Sequence, residues 1–360
     1  MKNILVSGGA GFIGSNFVRY LQSSQPNVRI VSLDQLSHAG SLENLNDLPF
    51  PDMHVFVQGD ICDRELVEYL LRRHQIDTIV NFAVESNRSI NGPTQFARTN
   101  IMGVSCLLEA ARRVWLKEEL LSGAPLRFHH ISTNEVYSPL KEGEAAISEM
   151  TPYDPQSFFS ASKAASDYLV KAYFYDYGLP VTISHCSNNY GPYQFPEKYI
   201  PMIILNAKNG MPLPVNGDGS QLEDWLYVED HCRGVELVIE KGQPGGIYNL
   251  SGCHPLSNIE LVRLICRIMD EEFPDLAIGA HAGLIRFMAD QPQPGQGYAI
   301  NISKIQNELG WQPSQTLESG LRKTIHWIVG NPHWVAAMRQ KPVYQDWLKK
   351  SHFNLSGKML

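Results

Sequence analysis

The stretch Asn3-Ile4-Leu5-Val6-Ser7-Gly8-Gly9-Ala10-Gly11-Phe12-Ile13-Gly14, continued by a helical pattern over residues 15–21, decides how this chain folds. A short β-type run enters three glycines at Gly-x-x-Gly-x-x-Gly spacing, with Phe12 and Ile13 between the last two. Such a strand must turn tightly into the helix, so that free N–H groups at the helix start face a pyrophosphate. Side chains at Gly8, Gly11 or Gly14 would block that approach. The next β run, Arg29–Asp34, ends in a carboxylate. At that place Asp34 accepts hydrogen bonds from a ribose diol and repels a 2′-phosphate, so the expected cofactor is NAD rather than NADP. Asp60 and Ile61 follow the third run, where an adenine edge is expected. The competing reading is a structural glycine turn, against which the flanking strand and helix both count.

Outward from this point, β-type runs recur at Arg29–Asp34, His54–Gln58, 78–82, 127–132 and 180–186. Helical patterns lie between them, as at 64–74 and 94–114. This alternation predicts an α/β fold: a Rossmann-type doubly wound parallel sheet whose ligand lies outside the carboxyl ends of the strands. After Asn188 the rhythm changes, with Pro192, Pro196, Pro201, Pro212 and Pro214 as punctuation. A helix is expected over 227–241 and another from Ser257, where Ser257 and Glu260 make a Ser-x-x-Glu capping box. The predicted organisation is an NAD-binding domain over 1–187, a smaller mixed α/β substrate lobe over 188–345 that covers the crevice, and a tail over 346–360.

The chain has 360 residues, with 30 Lys and Arg against 37 Asp and Glu and a net charge of −7. No basic block interrupts it, which argues against a nucleic-acid surface. Six cysteines are scattered without a Cys-x-x-Cys pair and read as reduced thiols of a cytoplasmic protein, with Cys106 and Cys186 in the core. No signal peptide or membrane span is expected. His129 and His130 adjoin on a strand and so face opposite ways, which makes a metal pair there unexpected.

The segments Asn3–Gly14, 129–137, 160–167, 186–201 and 224–231 resemble the dTDP-glucose 4,6-dehydratases, extended short-chain dehydrogenase/reductases, and the similarity runs from residue 2 to roughly 345. The resemblance implies an NAD-dependent lyase reaction of carbohydrate biosynthesis on a sugar nucleotide: oxidation at C4, loss of water across C5–C6, return of hydride to C6. It also implies a homodimer formed through the helices near 94–114 and 157–177, and a small-molecule substrate.

The same resemblance exposes departures. The family carries a Tyr base four residues before its Lys; here Lys163 is kept, but Phe159 stands at the Tyr position. The family's Thr-Asp-Glu reads Thr133-Asn134-Glu135, so Glu135 remains as a base while Asn134 cannot donate a proton as an acid. General acid–base groups contribute ~10²–10⁴-fold each, so ordinary dehydration should be impaired. On the substrate side the family's diphosphate-gripping Arg is Glu223, and its later Arg- and His-bearing segment reads Asp290-Gln-Pro-Gln-Pro-Gly-Gln-Gly-Tyr298. A loop is shortened to Val84-Glu85-Ser86-Asn87-Arg88-Ser89, while Asn188, Asn189, Glu197 and Lys198 are kept. Charge-assisted contacts are worth roughly 1.5–3 kcal/mol each, so a pyrophosphate-bearing ligand should bind weakly. Three functions stay open: an enzyme of dehydratase ancestry acting on a less anionic, sugar-like or specialised-metabolite substrate; an authentic dehydratase with acid and base displaced, Tyr137 and Tyr153 being the nearby phenols; or a non-catalytic NAD-binding regulator or scaffold.

Overall fold

The computed structural model describes residues 1–86, 92–121, 123–140, 143–253, 255–275, 279–288 and 297–350. Seven strands form one parallel sheet: β1 (Asn3–Ser7), β2 (Arg29–Asp34), β3 (His54–Gln58), β4 (Thr78–Asn81), β5 (Arg127–Thr133), β6 (Val181–Cys186) and β7 (Ile247–Leu250). Their order is β7-β6-β5-β4-β1-β2-β3. Val6 of β1 pairs with Ser32 on one side and Val80 of β4 on the other, so the strand order reverses at β1/β4. In open α/β sheets this switch point opens a crevice at the carboxyl ends of the strands.

The helices of this unit are α1 (Phe12–Ser24), α2 (Arg64–Arg73), a helical run α3 over residues 93–117, α4 (Phe158–Tyr177), α5 (Val228–Lys241) and α6 (Ser303–Leu309). Within α3 the stretches Ala97–Gly103 and Arg112–Lys117 are wound more widely than an α-helix, closing on bonds such as Glu118 N–H to Arg113 O at 3.0 Å. Alternation along β1 sends Ile4 and Val6 into a core shared with Phe17, Val18 and Val235, and Leu5 into the opposite core with Leu70, Leu107 and Val170. The helix α4 starts in a capping box in which Ser157 and Ser160 exchange hydrogen bonds, and stops at Gly178 in a left-handed conformation (φ 69°).

The chain divides into two compact units that do not follow one boundary after residue 187. The first holds Met1–Asn189, Glu223–Pro255 and Pro294–Leu317; the second holds Tyr190–Leu222, Leu256–Gln293 and Glu318–Leu360. Hydrogen bonding explains the interleaving. Ile247 pairs with Ile183, which makes β7 an edge strand of the first unit's sheet, and α5 buries Val235 and Val238 in the same core as α1. In the second unit a helix spans Tyr199–Lys208 and another spans Asn258–Glu272, the latter opened by the expected Ser257–Glu260 box. Strand Leu213–Asn216 pairs with Ile285–Met288 there. Residues 346–350, expected as tail, belong to the helix Pro342–Lys350; 351–360 lie outside the described residues.

The cysteines are all free thiols. Cys186 is buried as expected, but Cys106 is only half-buried, because it lies beside the exposed flank of α3 rather than on its inner stripe. Among the described residues no helix is long and apolar enough to cross a membrane.

Candidate active site

The glycine turn is a backbone cradle. Gly8 has φ 74°, and a Cβ there would lie 2.6 Å from Ala83 N. At Gly14 a Cβ would lie 2.2 Å from Gly8 O, so the first turn of α1 packs directly on the loop. Gly11 is the N-cap of α1 and supplies no capping side chain. The N–H groups of the helix start, at Phe12, Ile13 and Gly14, are therefore left for an anion. Asp34 is fixed at the end of β2: its Oδ2 accepts from Ala10 N–H at 3.0 Å and its Oδ1 from Leu36 N–H at 2.8 Å. The acceptor expected to meet a ribose is thus built into the same turn as the glycines. Asp60 accepts from Cys62 N–H at 2.8 Å and pairs with Arg98 at 2.5 Å. Partial burial works against its charge, but these donors win and hold its carboxyl below the usual range. Ile61 beside it is buried against the face of α3 at Gly103. These residues fit a dinucleotide: glycines where a Cβ would collide, unclaimed helix N–H groups, and an anchored carboxylate.

The second half of the site hangs from the end of β5 and the first turns of α4. Thr133 caps the short turn Asn134–Val136, its Oγ1 accepting from Glu135 N–H at 3.2 Å. Asn134 is buried and its carbonyl accepts from Tyr137 N–H at 3.1 Å, while Glu135 is half-buried. Lys163 is 3% exposed; its ammonium donates to Ile131 O at 2.8 Å and to His130 Nε2 at 3.1 Å. Burial pulls its pKa down to about 8, against the opposing pull of Asp167. One turn earlier, the Phe159 ring meets Phe96 edge-on, with centroids 6.4 Å apart.

The two phenols near this end are committed elsewhere. Tyr137 donates to His185 Nδ1 at 2.8 Å, and Tyr153 donates to Asp167 Oδ2 at 3.2 Å. Burial first, and then the neighbouring carboxylates, push both hydroxyls far above the ordinary phenol value. The adjacent histidines of β5 separate as their alternation requires. His129 faces Thr182 and Ser184 on β6, at 2.9 and 3.1 Å, whereas His130 faces Asn81, Ser166 and Lys163. Burial, and then Lys163, keep His130 well below the usual imidazole range.

Of the expected substrate residues, Glu85 is tied down by Asn100 of α3. Asn100 accepts from Glu85 N–H at 2.8 Å and donates to Glu85 O at 3.0 Å and to Ser162 Oγ of α4 at 2.8 Å. Ser86 is half-buried; residues 87–89 of the shortened loop, and 289–296 of the glutamine-rich segment, lie outside the described residues. Asn188 donates to Glu223 at 2.7 Å, and Asn189 donates to Ser187 O at 3.0 Å. Glu197 and Lys198 belong to the second unit, where they pair at 3.6 Å at the start of the helix Tyr199–Lys208. Asn100, Asp167 and His185 were missed by sequence reasoning. The signal available was three polar residues at helix or strand positions otherwise facing a core.

A family model described as GDP-mannose 4,6 dehydratase matches residues 5–324. The chain belongs to this dehydratase family. Within the family it is 47% identical over 337 residues to a dTDP-glucose 4,6-dehydratase of Xanthomonas campestris, covering 93% of this chain and 95% of that protein. Among solved structures, the dTDP-glucose 4,6-dehydratase of Bacillus anthracis in complex with NAD matches with a TM-score of 0.83 at 37% identity, over 94% of this chain and 100% of that one. The Streptomyces venezuelae dTDP-glucose 4,6-dehydratase, also with NAD, matches with a TM-score of 0.82 at 38% identity, over 93% and 99%. The seven-strand Rossmann-type sheet is accordingly the dehydratase family's fold.

Proposed function

We propose that this dehydratase-family chain holds NAD in the Gly8–Gly14 cradle and works on a less anionic, sugar-like substrate, with ordinary 4,6-dehydration impaired. The observation that carries the reading is the side chain one turn before Lys163: Phe159 offers only carbon, and its ring packs on Phe96. Neither nearby phenol replaces it, since Tyr137 and Tyr153 spend their hydroxyls on His185 and Asp167 and resist ionisation. NAD, when bound, supplies a hydride acceptor and donor.

This chain's residues then divide the work. Gly8, Gly11, Phe12, Ile13 and Gly14 present backbone to the pyrophosphate, Asp34 takes the adenosine ribose diol, and Asp60 and Ile61 border the adenine. Lys163 holds the nicotinamide ribose. Thr133 orients the turn carrying Glu135, which is left to take a proton from carbon, while Asn134 can hydrogen-bond a leaving oxygen without protonating it. Glu85, Ser86, Asn188, Asn189 and Glu223, all of the first unit, border the substrate. Glu223 is a carboxylate where a diphosphate would need a cation.

A second reading, an authentic sugar-nucleotide dehydratase with displaced acid and base, is favoured by the 47% identity to such an enzyme along nearly the whole chain. Incubating the purified protein with dTDP-glucose and following the 4-keto-6-deoxy product separates the two. Our reading expects no appreciable turnover, and brisk product formation selects the second. A cytoplasmic homodimer belongs to the same proposal. Met102 on α3 and Tyr168 and Tyr175 on α4 are 58%, 59% and 74% exposed, a set of apolar side chains for a second copy to cover.

A further inference from the structure

Behind Lys163 lies a polar cluster that the reading above leaves without a task. Asp167 sits on the next turn of α4, fully buried, with no arginine paired to it among the described residues. Its Oδ2 accepts three bonds: from Ser132 of β5 at 2.9 Å, from Tyr153 at 3.2 Å, and from His185 Nε2 of β6 at 3.0 Å. The tautomer is fixed by the carboxylate: Asp167 can only accept, so the His185 proton lies on Nε2 and Nδ1 accepts from Tyr137 at 2.8 Å. The other oxygen, Oδ1, has no hydrogen-bond donor and lies 3.6 Å from His130 Nε2. That nitrogen is the one to which the Lys163 ammonium donates at 3.1 Å. His130 Nε2 therefore stands between an unsatisfied carboxylate oxygen and a buried ammonium. At 3.6 Å it gives that oxygen no hydrogen bond, whichever ring nitrogen carries the proton.

We propose that Asp167, held from behind by His185, Tyr153 and Ser132, is a positioning residue that keeps Lys163 a cation aimed at the end of β5. A carboxylate this deep is tolerated only with donors and a compensating charge, and Lys163 is the cation one helical turn away. Three anchors on one oxygen stop the carboxylate from rotating to bond the lysine directly, so it acts through space and leaves the ammonium's remaining N–H free for a ligand. The groups that face Lys163 from the other elements stay neutral from pH 6 to 9. On β5, His130 is held far down. On β6, burial pushes the Cys186 thiol up to about 12. Lys163, brought to about 8 by burial, changes charge within that window. Removing Asp167 withdraws the one influence that raises it through helix α4, so Lys163 should become a neutral amine at lower pH.

This rests on the reading of Lys163 as a cofactor contact, and the test has two arms for that reason. In the first, NAD binding to the full chain is measured by calorimetry from pH 6 to 9. We expect affinity to fall as pH rises through about 8 in the parent. In Asp167→Asn the fall should move at least one pH unit lower, with binding at least about threefold weaker at pH 7.5. Asp167→Glu should restore the profile in part. A profile unmoved in a folded Asp167→Asn variant overturns the proposal. The second arm needs no cofactor: urea unfolding of Lys163→Met, Asp167→Asn and the double variant. Each single change strands a buried charge, so the double variant should be at least tenfold more stable than additivity allows, and this excess should vanish above pH 9. Additive effects at pH 7 overturn the proposal even if NAD binds. Failure of the parent to bind NAD, with coupling present, rejects only the cofactor reading.

Discussion

The two ends of the site are built from different materials. At the β1–β2 end the working parts are backbone: Gly8 in a left-handed conformation, Gly14 pressed on Gly8 O, and one carboxylate, Asp34, tied to Ala10 and Leu36. At the β5–α4 end the working parts are side-chain atoms: the Lys163 ammonium, the Asn134 amide, and a Phe159 ring that lacks an oxygen. A backbone cradle fails when an atom is added, because there is no room for it. A side-chain constellation fails when an atom is exchanged, and its shape survives the loss. One chain can therefore keep the architecture of a dehydratase even where such side-chain atoms are exchanged.

Acid should separate the ends most strongly. Burial brings His129 of β5 and His231 of α5 down to about 3, and both ring nitrogens of His231 lack partners. Their unfolded value is about 6.5, so below that pH the unfolded chain takes up protons that the folded chain refuses. Stability present above pH 6.5 is lost as pH falls toward 3. Two groups over two pH units make the loss about 5 kcal/mol at pH 4.5. Urea unfolding at pH 7 and 4.5 measures it, hydrogen exchange should show Arg127–Thr133 opening before Asn3–Ser7, and His231→Met should recover roughly half. A loss equal in that variant and the parent would refute the assignment.

At the other end, Gly14→Ala places a methyl 2.2 Å from Gly8 O. We expect about 3 kcal/mol of destabilisation and NAD binding below detection, read by thermal unfolding and calorimetry. Wild-type affinity in that variant would mean the cradle is not the cofactor's seat. Asp34→Ala removes one acceptor and should cost about 1.5–3 kcal/mol, ten- to a hundredfold in NAD affinity, while narrowing the preference over NADP. The smallest change is expected from restoring oxygen: on the proposed reading, Glu223 would still oppose a diphosphate, so Phe159→Tyr with Asn134→Asp should raise dTDP-glucose turnover less than about tenfold. A rise of a thousandfold would show that only two atoms separate this chain from its relatives.

How far the sequence could be read follows the same division. The six β runs before residue 188 were legible because most of them alternate with helices, only β2 and β3 being joined by short turns, and the strands fall where those runs lie. The seventh, Ile247–Leu250, was not: four residues between Gly246 and Ser251 carry too little pattern to stand out. Missing it also hid the interleaving of the units, since it is β7 that returns the chain to the sheet. The cradle was readable because steric exclusion writes itself as glycine. The Asp167–His185 cluster was not, because its members are far apart in the chain and each alone resembles a surface residue.

The widened winding of Ala97–Gly103 has a consequence for how this fold tolerates change. Such a stretch carries one residue more than an ordinary ladder would close around. Asn100 lies inside it and fastens both the loop at Glu85 and helix α4 at Ser162. Deleting a single neighbour would let the coil tighten to its usual pitch and swing Asn100 by about 100° around the axis. Both fastenings would open together, leaving α3 intact while the loop at Glu85 and the start of α4 lose their shared tie.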